Sequence, residues 1–415
     1  MKRSLRLLVI GGVAAGTRAA SKARREDPSM EITIITEEEY ISYAGCGLAY
    51  YVGGLIDSRE KLFARSPDVF REKQNISVLL KHRAERIDTY DREVHVTDLS
   101  QGKKLVMPYG RLLIATGASA VIPPVEGIDL NGIFVLHTIP DAENIKAYID
   151  SGKVRNACIM GGGYIGMEMA ENLVNLGIPV MLFEAADILL PRMLDPDIAG
   201  SVSEHMEKKG VRIRTGSPVE KFLCDSGDAV RAVAAGGSEY ECDLAVIAAG
   251  VKPNVKLARD ARIVLGPTGA IRVDNRMETS VRGIYAAGDC AESINLVCDH
   301  PYWMPLGSTA NKMGRVAGAN IAGGDSKFPG VLGTAIVKVF DLAVGRTGIS
   351  EREAKEAGFN PVSATVTTPA RPAYYPGGGE VTLKLIGDRK SQKLLGAQAV
   401  GDSSVDKVID RSEER

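Results

Sequence analysis

Gly161-Gly162-Gly163-Tyr164-Ile165-Gly166 follows the apolar run Ala157-Cys158-Ile159-Met160 and precedes a helical stretch reaching about Leu176. Strand, glycine turn and helix in that order satisfy G-x-G-x-x-G, in which backbone N–H groups at a helix N-terminus face a pyrophosphate. The next apolar run, Val180 to Phe183, ends at Glu184. An acid about 20 positions after the turn suits the 2′-hydroxyl of NAD and repels a 2′-phosphate. Leu244 to Gly250 then closes the unit as another buried strand.

Toward the N-terminus the pattern occurs a second time. Leu5 to Ile10 runs into Gly11-Gly12-Val13-Ala14-Ala15-Gly16 and a helical stretch to about Arg25, with Val13 where the second glycine would stand. The strand Glu31 to Ile35 ends in Thr36-Glu37-Glu38-Glu39, and the residues leave open which of Thr36 and Glu37 meets a ribose. Leu112-Leu113-Ile114-Ala115-Thr116-Gly117 mirrors Leu244 to Gly250, and Pro123-Pro124 mark a break after it. Two such units in one chain call for two different dinucleotides.

Beyond them, Gly283 to Asp289 is a strand ending in Gly288-Asp289, followed by a helical stretch from Thr309 to Ile321. Asp289 suits a polyol hydroxyl and a plain helix cap equally well. From Phe328 the pattern changes to alternating runs, Ala335 to Phe340 and Val381 to Ile386, around a short helix near Glu351 to Ala357. This reads as a separate α+β domain.

The chain has 415 residues, 45% hydrophobic and 25% charged, enough for two or three domains with their own cores. Lys plus Arg number 51 against 52 Asp plus Glu, so no global field favours nucleic acid or an anionic membrane. No apolar run has the length of a membrane span, and Leu5 to Ile10 stops too soon for a signal peptide, so a cytoplasmic enzyme is expected. The six cysteines (46, 158, 224, 242, 290 and 298) include no Cys-x-x-Cys pair, which suggests neither a zinc site nor a disulfide framework.

Cys46, in Ile41-Ser42-Tyr43-Ala44-Gly45-Cys46-Gly47-Leu48, is the cysteine to explain. A helix starting near Gly47 would aim its N–H groups at the sulfur and make it nucleophilic. Taken alone, a small buried hydrophobe is the simpler reading. Arg18, Lys22 and Arg25 share one face of the first helix and can hold a phosphorylated ligand, although spacing alone favours a solvated stripe.

Over essentially its whole length the sequence resembles the flavin-dependent pyridine nucleotide-disulfide oxidoreductases. The resemblance rests on the first glycine turn, Ala115-Thr116-Gly117, the Gly161 to Gly166 turn and Gly288-Asp289, in family order. It implies an α/β fold with two Rossmann-like domains, one for FAD and one for NAD, plus a C-terminal α+β dimerisation domain. The expected boundaries are 1–118 and 253–325 for the FAD domain, 119–252 for the NAD domain and 326–415 for the interface domain.

The disulfide-using members carry a second cysteine five positions on, where this chain has Tyr51. Cys46 stands alone, as in the branch of coenzyme A-disulfide reductases, coenzyme A-persulfide reductases and NADH oxidases. The resemblance implies a cytoplasmic homodimer using FAD and NADH, with no nucleic acid or membrane partner. It implies FAD contacts at Gly11, Gly12, Val13, Ala14, Ala15, Gly16, Thr36, Glu37, Ala115, Thr116, Gly117, Gly288, Asp289, Leu306 and Gly307. The NAD set is Gly161, Gly163, Tyr164, Ile165, Gly166, Glu168, Glu184 and Gly250, with Glu168 approaching the nicotinamide. The coenzyme A set is Arg18, Lys22, Arg25, Ser42 and Gly45; the catalytic set is Cys46 with Tyr374 and Tyr375, the tyrosines reaching the partner subunit. No metal is implied.

The implied activity is NADH-dependent reduction of coenzyme A disulfide, persulfide or polysulfide. An NADH oxidase cycling Cys46 through a sulfenic acid and a flavin electron-transfer protein that does not use the thiol are the alternatives. Cys158, Cys242 and Cys290 are expected to pack in the core, while Cys224 and Cys298 have no expected role. The run from Leu394 to Asp410 resembles the entry to a longer interface helix, so the last domain is expected to be truncated.

Overall fold

The computed structural model describes residues 5–224, 226–372, 374, 378–401 and 404–413. Two compact units emerge: one from 1–46, 59–119 and 251–331, the other from 47–58, 120–250 and 332–415.

The first unit is built on a five-stranded sheet in the order Ile284–Ala286, Arg111–Ile114, Arg6–Ile10, Glu31–Ile35, Ser77–Leu79. All four neighbouring pairs run parallel. Such strands are covered on both faces, which is why they read as continuous apolar runs. Leu7, Val9, Ile34, Leu112 and Leu113 are fully buried. The helices Ala14–Glu26 and Gly307–Ile321 cross at close range because Gly314 and Gly318 lie against the backbone of Ala15 and Ala19. A methyl at either glycine would collide with a carbonyl oxygen of the facing helix. The position of the first glycine turn is therefore fixed by a helix far along the chain.

The second unit repeats the arrangement in the order Val211–Arg214, Val180–Phe183, Ala157–Met160, Leu244–Ile247, Ile133–Val135, again all parallel. The same unit holds a five-stranded antiparallel sheet in the order Ala335–Val339, Leu342–Gly348, Leu394–Gly401, Glu380–Asp388, Pro361–Pro369. The final helix, Val405–Glu413, buries Val405 and Ile409 against Gly345 of this sheet.

A buried ionic cluster ties the antiparallel sheet to the start of the helix Pro196–Lys208 and to the short helix Glu351–Glu356. Lys384, only 3% exposed, reaches Asp195 (3.3 Å), Asp197 (2.7 Å) and Glu351 (2.8 Å). Asp195 also takes a hydrogen bond from Gln398 Nε2 at 2.8 Å. Burial works against the charge of Lys384, but Asp197 and Glu351 outweigh it and raise its pKa. Three acids around one ammonium supply the partners that a buried cation requires.

Candidate functional site

Each parallel sheet presents its glycine turn in the same way. Gly11 and Gly161 have φ of 114° and 115°, and a Cβ at either would strike the carbonyl oxygen of Ala115 or Ala248 on the neighbouring strand. Gly16 and Gly166 lie against the carbonyls of Gly11 and Gly161. Those glycines are required by the fold itself. Gly163 is different: a Cβ there meets no protein atom within 4 Å. Val13 stands at the equivalent place in the first unit without disturbing the turn, which accounts for the imperfect motif.

The helices Ala14–Glu26 and Tyr164–Asn175 start without a side-chain cap and without an acid in the first turn. Their leading N–H groups and positive dipole ends suit a pyrophosphate. The Glu184 carboxylate accepts N–H groups from Gly162 (2.7 Å) and Ala186 (2.8 Å), which aims it beside the second turn. Each oxygen keeps acceptor capacity for a hydroxyl. After the second sheet, Gly250 takes φ of 100° and its carbonyl accepts from Val121 N–H at 2.9 Å. Tyr164 and Ile165 open the helix half-buried.

In the first unit Thr36 is buried and its hydroxyl accepts the N–H of Glu38, whereas Glu37 is exposed at the end of its strand. Gly12 packs against Ile41 and Thr36. The Ala115-Thr116-Gly117 turn is held by a residue that sequence reasoning missed, Asn254. Thr116 Oγ1 donates to the Asn254 carbonyl (2.7 Å), Asn254 Nδ2 donates to the Thr116 carbonyl (2.9 Å), and Ser119 Oγ donates to Asn254 Oδ1 (2.7 Å). Gly288 has φ of 83° and faces Ala15. The Asp289 carbonyl accepts the indole N–H of Trp303 at 2.7 Å. Leu306 and Gly307 lie at the start of the Gly307–Ile321 helix, which also lacks a side-chain cap and an acid in its first turn.

Cys46 is exposed, so the buried-hydrophobe reading does not hold. It sits within a 3-10 turn, Gly45–Gly47, that runs on into the helix Leu48–Val52. Helical backbone thus starts two residues before the expected Gly47, and Cys46 is part of the first turn rather than outside it. Ser42 adopts φ of 55°, its N–H donating to the Gly12 carbonyl at 2.8 Å. A Cβ on Gly45 meets nothing within 4 Å.

The basic stripe is not uniform. Lys22 is paired with Glu26, Arg25 is exposed, and Arg18 has its Nε out of solvent with no acceptor among the described residues. A buried guanidinium nitrogen without a partner is costly in the protein alone and fits an anion supplied from outside.

Glu168 lies one turn into the second nucleotide helix. Burial pushes its pKa up to about 7, against the opposing hydrogen bond from Tyr50 Oη at 3.4 Å. Tyr50 belongs to the helix after Cys46 and also escaped sequence reasoning; its position four residues beyond the cysteine was the available signal. Asn172 Nδ2 donates to the Glu168 carbonyl at 2.8 Å.

Tyr374 is 86% exposed, while Tyr375 lies outside the described residues. Cys158, Cys242 and Cys290 are buried as expected, with burial raising the Cys290 pKa; Cys224 is exposed and Cys298 intermediate. Among the described residues no group of three or more His, Cys, Asp or Glu side chains can hold a metal ion, and no helix is long and apolar enough to cross a membrane.

The sequence matches the pyridine nucleotide-disulphide oxidoreductase family over residues 5–314 and that family's dimerisation domain over residues 334–412. It is 39% identical over 395 residues to an NAD(P)H sulfur oxidoreductase (CoA-dependent) of Pyrococcus abyssi, covering 95% of this chain and 87% of that protein. It is 36% identical over 406 residues to an NADH oxidase of Methanocaldococcus jannaschii, covering 98% and 90%. The fold matches a NAD-dependent persulfide reductase from A. fulgidus with a TM-score of 0.95 at 41% identity, covering 98% of this chain and 75% of that one. With two nucleotide folds, an exposed lone cysteine and these matches along its length, the chain belongs to the pyridine nucleotide-disulphide oxidoreductases, flavoenzymes that use FAD and NAD(P)H.

Proposed function

We propose that this enzyme is an NADH-dependent reductase of coenzyme A disulfide or of a coenzyme A persulfide or polysulfide. The observation that carries the reading is the exposed thiol of Cys46 in the turn that follows the first nucleotide strands, with Tyr51 where a second cysteine would make an internal disulfide. The similarity to a CoA-dependent sulfur oxidoreductase supports the substrate class, and so does the unpartnered Nε of Arg18.

FAD belongs at the Gly11–Gly16 turn, with Gly288-Asp289 and the start of the Gly307–Ile321 helix, and NADH at the Gly161–Gly166 turn with Glu184. FAD, once bound, carries two electrons from the nicotinamide to sulfur. The chain's own chemistry lies at Cys46. Its thiolate attacks one sulfur of the disulfide, forming a mixed disulfide and expelling the first coenzyme A as thiolate. Two electrons and one proton then cleave the mixed disulfide, releasing the second thiol and restoring the Cys46 thiolate. Arg18, Lys22 and Arg25 hold the nucleotide phosphates of the substrate, with Ser42 and Gly45 beside the sulfur.

The working form is a homodimer, for which Tyr374 and the nearly fully exposed edge strand Pro361–Pro369, with Val362 and Val366, offer a surface. Free cysteines throughout fit a reducing cytoplasm.

The test is anaerobic. Protein reduced with NADH is mixed with coenzyme A disulfide and flavin absorbance is followed. Rapid reoxidation is expected. Reoxidation by oxygen alone would make the protein an oxidase, and slow reoxidation by both would leave electron transfer without the thiol.

A further inference from the structure

Asn254 directs all four of its polar groups at one short stretch of chain. Its backbone N–H donates to the Gly117 carbonyl at 3.0 Å, and its own carbonyl accepts from Thr116 Oγ1 at 2.7 Å. Its side chain adds a donor, Nδ2 to the Thr116 carbonyl at 2.9 Å, and an acceptor, Oδ1 from Ser119 Oγ at 2.7 Å. The last two bonds need a donor and an acceptor on the same short side chain, which an ionised aspartate cannot supply. Val255 and Ala258, just beyond, are buried in the core around the first parallel sheet, so Asn254 is anchored in the same unit as the turn it holds.

The stretch so held is wedged between the two turns at which FAD is placed above. Ala115 N–H donates to the Ile10 carbonyl at 2.8 Å, and a Cβ on Gly11 would lie 2.0 Å from the Ala115 carbonyl oxygen. On the other side the Ile114 carbonyl accepts Ala287 N–H at 3.1 Å and the Cys290 thiol at 3.4 Å. Gly117 itself has φ of 67°, and a Cβ there meets no protein atom within 4 Å. A glycine with open space beside it has wide conformational freedom. The hydrogen bonds from Asn254 remove that freedom at the point where the turn faces away from protein.

We propose that Asn254 is a positioning residue for FAD, acting through Thr116 and Gly117 to hold their turn in one shape against the Gly11–Gly16 turn. The inference rests on the FAD placement proposed above and adds to it a residue 138 positions along the chain from Thr116. A cradle fixed before its ligand arrives binds more tightly, because no ordering of the turn is left to be done on binding. Loss of the side-chain donor leaves the Thr116 carbonyl without that restraint, and FAD departs faster.

The test follows FAD leaving the holoenzyme. The rise in flavin fluorescence on dilution gives the release rate, and visible circular dichroism at saturating FAD reports how the bound flavin is seated. Asn254→Asp keeps the acceptor for Ser119 and loses the donor to Thr116; it should release FAD about tenfold faster, with an altered dichroism spectrum. Asn254→Ala should do the same, which separates loss of the donor from repulsion by the new charge. Ser119→Ala, whose hydroxyl reaches Asn254 and not the turn, should stay within about threefold of normal. If Asn254→Ala fails to fold, Asn254→Asp measured against Ser119→Ala decides. Normal release from Asn254→Asp overturns the inference, and a lowered melting temperature with unchanged dichroism returns Asn254 to a packing role. Trp303 emission tests the placement separately. Where FAD quenches Trp303 but Asn254→Asp releases it normally, this inference alone falls; FAD that binds without quenching overturns the placement and this inference with it.

Discussion

The Glu184 carboxylate accepts the amide N–H of Gly162 at 2.7 Å, which fixes the acid that ends one strand against the turn that follows its neighbour. The second oxygen is held by Ala186 N–H at 2.8 Å. A 2′-phosphate brought to this place would meet a fixed negative charge, and like charge is an effective means of rejection. NADH should be preferred over NADPH by at least about tenfold in kcat/KM. Glu184→Ala should narrow the gap, chiefly by weakening NADH. Comparable kcat/KM for both cofactors in the unaltered enzyme would refute the assignment.

Cys46→Ser should separate the two halves of the reaction. Reduction of the flavin by NADH does not use the sulfur and should proceed within about twofold of normal, whereas turnover of coenzyme A disulfide should fall by about 10³ or more, as for loss of a nucleophile. Stopped-flow absorbance reads the first and thiol release the second. Full turnover by the serine variant makes Cys46 a bystander.

The basic stripe should act through Arg18 more than through its neighbours, since Lys22 already has Glu26 and Arg25 is solvated. Replacing all three with Ala should raise KM for coenzyme A disulfide by about tenfold or more, given about 1.5–3 kcal/mol for a hydrogen bond to a charged group. Most of that should be reproduced by Arg18→Ala alone. A small disulfide without the nucleotide serves as control. Equal losses on both substrates would return the stripe to a solvated face.

Trp303 is the only tryptophan in the chain, and its indole N–H is bound to the carbonyl of Asp289. If Gly288-Asp289 holds the flavin, the indole lies close enough to be quenched by it. Removing FAD should raise tryptophan emission severalfold and adding it back should restore the quench. Emission that ignores flavin content would argue against this placement.

Acid should loosen the Lys384 cluster. Burial alone would raise the pKa of Asp197, but the Lys384 ammonium overcomes it and holds the carboxyl below its ordinary value; Lys384 and Ser363 do the same for Glu351. Acids depressed in the folded state contribute stability that is present above their unfolded pKa and lost as pH falls through the folded value. Melting temperature should therefore drop below about pH 4. Lys384→Ala should cost about 3 kcal/mol or more at neutral pH by leaving Asp195 buried without its cation. A Tm within a degree of the unaltered protein would show the cluster to be expendable.

The two sheets and both glycine turns were legible because each rests on a local constraint. A strand buried on both faces must be apolar throughout, as Ala157–Met160 is, and a backbone that abuts a carbonyl must be glycine, as at Gly11 and Gly161. The exposure of Cys46 and the early start of its helix were not legible, because a five-residue helix has too few turns to show a period. Tyr50 with Glu168, Asn254 with Thr116 and Lys384 with Asp195 escaped for a different reason. Each joins residues more than a hundred positions apart, and nothing in the neighbourhood of either partner marks the other.

The crossing of the helices Ala14–Glu26 and Gly307–Ile321 has a consequence for biosynthesis. The first sheet also needs Ile284–Ala286, so the sheet that holds Arg6–Ile10 is completed only once a segment far along the chain has been made. By contrast, the parallel sheet of the second unit is complete by Ile247. Domains fold as units once their parts have emerged, so this second parallel sheet can close first, while the first sheet waits for Ile284–Ala286. On the proposed placement of FAD, flavin is acquired only after the Gly307–Ile321 helix has been made and sets the first glycine turn in place.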